Sequence, residues 1–330
     1  MDLAALQTLV DQSLVPKGPD SQWKEKITQK FKDLVQEEVS LASYTWIRLG
    51  GVAEVLAYPQ TGESLSQLLS FCHEHQVPWQ VLGRGSNVLI KDGGLEGLTL
   101  VLGKGLDSLE PLESLEDKLR VKVGAGLPLP QLVQWAVEQG AVGVPGLYGI
   151  PGTVGGAIRM NAGTRVAEVS DFLENLELID REGQLHSVPA KRIKFDYRHA
   201  QLPQSGVIVS GTFAFKKGEI EKIRQEVQDY QKRRRETQPL DKPNLGSVFK
   251  NPPKHFAAEL IEEVGLKGVR VGGARISDKH ANFIINEGDA TAKDVLALIG
   301  LAKDKVKEVF DIHLDLEVKV MGRDLESSKE

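Results

Sequence analysis

A chain of 330 residues with 41% apolar and 26% charged residues has the composition of an ordinary globular protein, long enough for two or three domains. A net charge of -5 removes the electrostatic reason to expect nucleic acid or an anionic membrane as partner. A single cysteine, Cys72, excludes a disulfide framework and a cysteine-rich metal site, and it reads as a small hydrophobe on a helix face in a reducing compartment. Residues 1–14 carry acidic and polar side chains where a signal peptide needs a basic start and an apolar run. No stretch approaches the roughly 18 apolar residues of a membrane span, so a cytoplasmic protein without membrane contact is expected.

In chain order, residues 1–40 read as a charged helical extension broken by Pro16, Gly18 and Pro19. From Leu41 the texture changes to α/β alternation. Val52 to Pro59 reads as a strand, Leu65, Leu68, Leu69 and Cys72 recur at helical spacing, and a second strand lies around Trp79 to Leu82. After it comes a glycine-rich turn, Gly83-Arg84-Gly85-Ser86-Asn87. A dinucleotide fingerprint would need a glycine at the sixth position and then a helix; here Val88 stands there and Val88-Leu89-Ile90 continues as strand. What remains is a loop whose backbone N–H groups could line a phosphate, or a simple tight turn.

Leu129, Leu132, Val133 and Ala136 mark a helix ending near Gly140, and a richer glycine stretch follows: Gly149-Ile150-Pro151-Gly152-Thr153-Val154-Gly155-Gly156-Ala157, then Asn161-Ala162-Gly163. So many glycines imply close backbone approach to something or several positive φ angles, and a cluster of turns is the plain alternative. Strands are expected at Leu173 to Asp180, Leu185 to Val188 and Gly206 to Phe215, around the segment Phe195-Asp196-Tyr197-Arg198-His199-Ala200. Arg198 there is either a surface ion-pair partner or a fixed cation for a carboxylate or phosphate.

A domain boundary is expected near residue 219, where a long helix begins with Ile220, Ile223, Val227 and Tyr230 on one face. It runs into Lys232-Arg233-Arg234-Arg235, which is a solvated helix end or, for an anionic substrate, a diphosphate clamp. Gly246-Ser247-Val248-Phe249-Lys250-Asn251-Pro252 is poor material for a core element and stands out for that reason. Beyond it come a helix with Phe256, Leu260, Ile261 and Val264 inward, a turn at Gly272-Gly273-Ala274, a strand from His280 to Asn286, and a helix opened by a capping box at Thr291 to Asp294. A last strand from Leu314 to Val320 alternates, so that Glu317 falls on its polar face, where a carboxylate is ordinarily a solvent-facing group.

Over about residues 41–322 these motifs, in this order and spacing, resemble the UDP-N-acetylenolpyruvoylglucosamine reductase (MurB) family. The resemblance is carried by Gly50-Gly51-Val52-Ala53, Leu82 to Asn87, Gly149 to Ala157 with Asn161-Ala162-Gly163, Tyr197-Arg198, Gly246 to Pro252, and Leu266-Lys267-Gly268 with Gly272-Gly273-Ala274. The short run from Arg198 to Ser247, without an extra tyrosine-bearing loop, is similar to the type II members. The resemblance implies an α+β fold: an FAD-binding domain of the vanillyl-alcohol oxidase type at 41–218, in two α/β subdomains of about 41–120 and 121–218. A smaller α/β substrate domain at 219–322 and a tail at 323–330 complete it.

It also implies chemistry. The family holds FAD, reduces it with NADPH, and passes a hydride to the enolpyruvyl ether of UDP-N-acetylglucosamine enolpyruvate, giving UDP-N-acetylmuramate for peptidoglycan precursor synthesis. By match to its motifs, Arg198 and Glu317 flank the substrate carboxylate, Ser247 donates the proton, and the three converge on the flavin. FAD is expected on Gly83, Arg84, Gly85, Ser86, Asn87, Gly149, Ile150, Pro151, Gly152, Thr153, Gly155, Gly156, Ala157, Asn161, Ala162 and Gly163. Tyr197, Arg235 and Asn251 are expected to hold the UDP-sugar; no metal is expected, and the molecule is expected to be a monomer.

The chain departs from the family pattern in three places. Ala200 replaces the usual serine two residues after the arginine, Leu316 replaces a proline before the final carboxylate, and Thr164-Arg165-Val166 replaces aromatic and glycine residues. Two other classes share part of the pattern. A flavin oxidoreductase acting on a small alcohol would keep the glycine loops without needing Ser247 or Glu317, and a non-catalytic nucleotide-binding protein would use the loops without a flavin.

Overall fold

The structure, a computed structural model, describes residues 19–115, 117–203 and 205–325. The first eighteen residues of the expected N-terminal extension and the last five of the tail lie outside the described residues. In chain order the elements are α1 (Trp23–Lys30), β1 (Val35–Ser40), β2 (Val52–Ala57), α2 (Gly62–Glu74), β3 (Trp79–Leu82), β4 (Val88–Ile90), β5 (Leu95–Val101), β6 (Leu109–Leu115) and β7 (Lys118–Gly124). Then come α3 (Leu129–Glu138), α4 (Val154–Arg159), β8 (Leu173–Ile179), β9 (Leu185–Pro189), β10 (Phe195–Asp196), β11 (His199–Ala200), β12 (Val207–Lys216) and α5 (Ile220–Thr237). The chain finishes with α6 (Ala257–Glu263), β13 (Arg270–Val271), β14 (Ala274–Ile276), β15 (Ile284–Asn286), α7 (Ala292–Phe310) and β16 (Lys319–Met321).

The chain divides into two compact units that alternate along the sequence. One takes the described residues up to Glu37, Val55–Gly83 and Gly97–Gln231; the other takes Glu38–Glu54, Arg84–Glu96 and the described residues from Lys232 onward. In the first unit, a five-stranded antiparallel sheet runs β6-β7-β12-β8-β9. Its middle strand β12 puts Phe213 and Phe215, each only 1% exposed, on one face and the half-buried Thr212 and Ala214 on the other. A second sheet runs β1-β2-β5-β3, with β3 and β5 parallel and Trp79 opposite Leu98.

Helix α2 starts at Thr61, whose hydroxyl takes the N–H of Ser64 while the Ser64 hydroxyl takes the N–H of Thr61. It buries Leu65, Leu68, Leu69, Phe71 and Cys72. Burial pushes the Cys72 thiol up to about 12, so it is an inert packing group rather than a nucleophile. Helix α3 buries Leu129, Leu132, Val133 and Ala136, the three-and-four spacing read from the sequence.

In the second unit, β13-β14-β15 form an antiparallel sheet, and α7 buries Val295, Leu298, Ile299, Ala302 and Val306. Its start is closed twice. Thr291 and Asp294 form the expected capping box, and the Asp92 carboxylate accepts the N–H groups of Ala292 at 2.9 Å and Lys293 at 3.0 Å. The N–H of Thr291 in turn holds the Asp294 carboxyl below its ordinary value.

Several sequence expectations are corrected. Residues 35–40 of the supposed helical extension form β1, whose burial runs in from Val35 to exposed acids that a helix reading could not place. The strand expected from His280 is shorter, because the Phe283 N–H returns to the His280 carbonyl as a turn before β15 starts. The strand expected over Leu314 to Val320 exists only as β16, paired in parallel with β4; upstream there is a single bridge, Leu316 with Phe249. Within the second glycine stretch, residues 154–159 close into α4 instead of remaining a loop, because Thr153 caps the turn through the N–H of Gly156.

Candidate active site and flavin cradle

Gly83, the first residue of the first glycine loop, meets the second glycine stretch inside the first unit. Gly83 ends β3, and a Cβ built on it would lie 2.8 Å from the Thr153 hydroxyl oxygen. A Cβ on Gly155 would lie 2.9 Å from the Ala125 Cβ. Pro128 bridges Thr153, and the Val154 and Gly155 N–H groups bond the carbonyls of Leu127 and Ala125 at 2.9 Å. The Gly149–Gly156 connection is thereby laid on the start of α3, with Gly149 at φ 73° and Gly152 at φ 119°, values that favour glycine. These contacts are protein against protein, and the N–H groups of Val154 and Gly155 are spent in them, so an FAD phosphate, if held here, falls to the remaining backbone N–H groups of the glycine loops.

The Asn161 side chain is spent within the protein. It is 1% exposed at φ 42°, its amide nitrogen donates to Glu168 at 2.7 Å and to the Asp196 carbonyl at 3.3 Å, and its oxygen takes the Ser170 N–H. Ala162 and Gly163 lead into a tight turn closed by Thr164 N–H to the Ala167 carbonyl, which is how Thr164-Arg165-Val166 is accommodated. Arg159, at the end of α4, donates to the carbonyls of Leu202, Pro203 and Gly206 at 3.3, 2.9 and 2.7 Å. Burial pulls it down to about 10, still a cation at neutral pH. Sequence reasoning missed it, although an arginine directly after Gly155-Gly156-Ala157-Ile158 was a visible signal.

Asn161 therefore holds the first strand of the β10–β11 hairpin, where Asp196 pairs with His199, and Arg159 holds the segment that follows the hairpin. The two-residue turn is Tyr197-Arg198. Arg198 sits at φ 58°, an expensive conformation for a long side chain, and its guanidinium carbon lies 4.9 Å from the Tyr197 ring centre. Tyr197 is exposed and Ala200 is buried, so the missing serine hydroxyl leaves a packed methyl in its place.

In the second unit, Gly85 at φ 57° lies so near the Tyr44 carbonyl that a Cβ would come within 2.3 Å of its oxygen; its own carbonyl takes the Trp46 N–H. Arg84 is exposed and Ser86 half-buried beside it. Asn87 does two things: its side-chain N–H donates to the Glu317 carbonyl at 3.1 Å, and its carbonyl takes the Lys319 N–H at 3.0 Å. The segment carrying Ser247 runs antiparallel to the one carrying Glu317. Lys250 N–H bonds the Asp315 carbonyl, and the Val248 carbonyl takes the N–H of both Glu317 (2.9 Å) and Val318 (3.3 Å). One carbonyl opposite two N–H groups is a bulge, a device that turns a side chain out of the regular alternation. Ser247 and Glu317 are half-buried, and Val248, the residue after Ser247, is the one whose carbonyl takes the Glu317 N–H.

Asn251 is exposed, but its side-chain oxygen accepts the Ala257 N–H at 3.0 Å and so closes the start of α6. Arg235 is exposed, and its carbonyl takes the Lys279 ammonium. Sequence reasoning also missed Asn244 and Asn282, 3% and 4% exposed, whose amides bond the backbone around Ser247. Among the described residues no group of three or more His, Cys, Asp or Glu could hold a metal ion, and no helix is long and apolar enough to cross a membrane.

Residues 53–189 match the FAD binding domain family, and residues 238–321 match the UDP-N-acetylenolpyruvoylglucosamine reductase C-terminal domain family. The chain is 40% identical over 304 residues to UDP-N-acetylenolpyruvoylglucosamine reductase 1 of Bacillus cereus, covering 89% of this chain and 99% of that one. To the reductase of an Anaeromyxobacter species it is 42% identical, covering 93% and 95%. Among solved structures it is similar to UDP-N-acetylenolpyruvylglucosamine reductase from Thermus caldophilus, with a TM-score of 0.75 and 38% identity over 87% of this chain and 98% of that one. With both family matches and near-full-length relatives at about 40% identity, the chain belongs to the UDP-N-acetylenolpyruvoylglucosamine reductase family of FAD-dependent oxidoreductases.

Proposed function

We propose that this enzyme reduces the enolpyruvyl ether of UDP-N-acetylglucosamine enolpyruvate to the lactyl ether of UDP-N-acetylmuramate in the cytoplasm, with NADPH as the electron source, as a soluble monomer that engages neither nucleic acid nor membrane. Bound FAD supplies the hydride, because no side chain can. Hydride addition at the terminal vinyl carbon leaves negative charge on the adjacent carbon and its carboxylate, and the chain's own residues have to manage that charge. Arg198 contributes a fixed cation to it. Glu317 donates a hydrogen bond to the developing enolate only in its protonated form, and the Ser247 hydroxyl gives its proton to the carbanionic carbon. A serine is a weak acid, so this works only at hydrogen-bond distance from a very basic carbon.

The domain at 219–322 is assigned to the UDP-sugar, with Tyr197, Arg235 and Asn251 as contacts. For Asn251 the contact falls to its amide nitrogen, since the oxygen serves α6. The carrying observation is the bulged pairing of Val248 with Glu317 and Val318, which supports a shared task for Ser247 and Glu317.

The purified protein should be yellow, and its flavin absorbance should bleach on anaerobic addition of NADPH. Colour should return with the enolpyruvyl UDP-sugar but not with simple alcohols. Bleaching of the oxidised flavin by a simple alcohol, with no return of colour on adding the enolpyruvyl UDP-sugar, would move the reading to an alcohol oxidoreductase on the same scaffold.

A further inference from the structure

The segment Gly246–Phe249 is not held by an ordinary strand partner on the side away from Glu317. Two buried asparagines hold it instead. The Asn244 side-chain oxygen accepts the Gly246 N–H at 2.8 Å, and its nitrogen is spent on the carbonyls of Pro239 and Lys242. Asn282 does more. Its side-chain oxygen accepts the Phe249 N–H at 2.9 Å, its nitrogen donates to the Phe249 carbonyl at 2.8 Å, and its backbone carbonyl takes the Val248 N–H at 2.9 Å. A side-chain amide that pairs with both polar groups of one residue mimics a peptide in a ladder, and at 4% exposure it has no water to substitute for a lost partner. The hydrophobic neighbours Val248 and Phe249 are at most 2% exposed, so the same two residues are fixed by packing as well.

We infer that Asn282 is a positioning residue for proton delivery: its amide sets the backbone at Val248 and Phe249, and through it the place of the Ser247 hydroxyl, with Asn244 fixing the turn on the other side. The inference rests on the reading of Ser247 as proton donor. An apolar residue at 282 would pack as well in a run of Ala281, Phe283, Ile284 and Ile285, but it would leave both Phe249 groups unpaired. The polar residue at this position is therefore explained by the geometry it imposes on residues 247–249. Misplacement of a reacting group by about 1 Å can cost on the order of 100-fold in rate, the scale on which this device would act.

Asn282→Asp and Asn282→Ala test it, each read in two half-reactions on the flavin-loaded enzyme: reduction by NADPH, and re-oxidation by the enolpyruvyl UDP-sugar. Both variants should keep their flavin and their reduction rate, and should slow re-oxidation by about 100-fold at neutral pH. In Asn282→Asp, a buried carboxyl faces the Phe249 carbonyl. As the pH falls it gains a proton, can donate to that carbonyl while accepting from the N–H, and should recover re-oxidation; Asn282→Ala should show no such recovery. Added to Ser247→Ala, either substitution should cost nothing further, since it acts through the hydroxyl already removed.

Re-oxidation at the wild-type rate in both variants, with Ser247→Ala impaired, would overturn the positioning role alone. Loss of flavin, or equal loss of both half-reactions, in both variants would assign Asn282 to the fold instead. Unimpaired re-oxidation in Ser247→Ala would remove the proton-donor reading, and the inference with it.

Discussion

The Gly83 Cα faces the Thr153 hydroxyl so closely that a methyl group between them would stand 2.8 Å from the oxygen. Thr153 is not free to yield, because its hydroxyl caps α4 and its backbone bridges Pro128. Gly83→Ala should therefore push the two glycine loops apart at a cost of about 2 kcal/mol, which is roughly 30-fold in flavin affinity if the cradle takes the strain. The flavin-to-protein absorbance ratio after dialysis checks this, and a variant that keeps the wild-type ratio would detach Gly83 from cofactor binding.

Ser247→Ala should leave flavin reduction by NADPH nearly intact and reduce product formation by about 100- to 10,000-fold, the range for general acid catalysis. Glu317→Ala should slow the same second half-reaction, by about 100- to 1000-fold, while Glu317→Gln, which can still donate a hydrogen bond, should lose less. Stopped-flow measurement of each half-reaction decides. Equal losses in both would point to a structural role for Ser247, and wild-type turnover in Glu317→Gln and Glu317→Ala alike would take Glu317 out of the mechanism.

Much of the candidate site was legible because the residues assigned to it make poor core: glycines in runs, a serine before an apolar pair, an arginine beside a tyrosine. The amphipathic helices α2, α3 and α7 were legible for the opposite reason, since their apolar spacing has one period, and α7 has a visible capping box as well. What the sequence concealed were positions whose role comes from burial. Asn282 sits in an apolar run and reads as strand, yet its amide serves two backbone groups of a segment 33 residues away. Arg159 reads as a helix-end cation, yet its partners are three carbonyls beyond residue 200. The Leu314 to Val320 alternation misled because the pairing that organises Glu317 is one bulged bridge rather than a ladder.

Arg198 occupies the left-handed region at φ 58°, which costs most side chains about 1–2 kcal/mol. Asparagine tolerates that conformation better, so Arg198→Asn should leave the melting temperature unchanged or slightly raised while slowing re-oxidation by the enolpyruvyl UDP-sugar. Arg198→Lys, which keeps a charge but loses the planar fork, should fall between the two. A variant that melts earlier and turns over normally would show the strained turn to be a folding feature only.

Asp92 closes the start of α7 with two charge-assisted bonds, at 2.9 and 3.0 Å. Asp92→Ala should destabilise the unit that contains α7 by about 1–2 kcal/mol, and Asp92→Asn by less, because an amide oxygen can still accept. Denaturant titration reads this as a lower midpoint at unchanged slope. A midpoint within error of the wild type would mean that the Thr291–Asp294 box alone suffices for the helix.

His280 lies half-buried against Phe283, and its Nδ1 accepts the Asn282 N–H at 3.3 Å. Burial, aided by the charge of Lys267 and opposed by that of Glu262, holds its pKa below the ordinary histidine value. The folded protein therefore favours the neutral ring, and the unfolded chain binds the proton first as the pH drops. Stability from this group is complete above about pH 6.5 and is lost as the pH falls toward the depressed folded value, at no more than about 1.4 kcal/mol per pH unit. His280→Gln should remove that part of the acid sensitivity, so that its melting temperature falls less than the wild type's between pH 7 and pH 5. Parallel melting curves for the two proteins across that interval would show that the ring titrates alike in the folded and unfolded states.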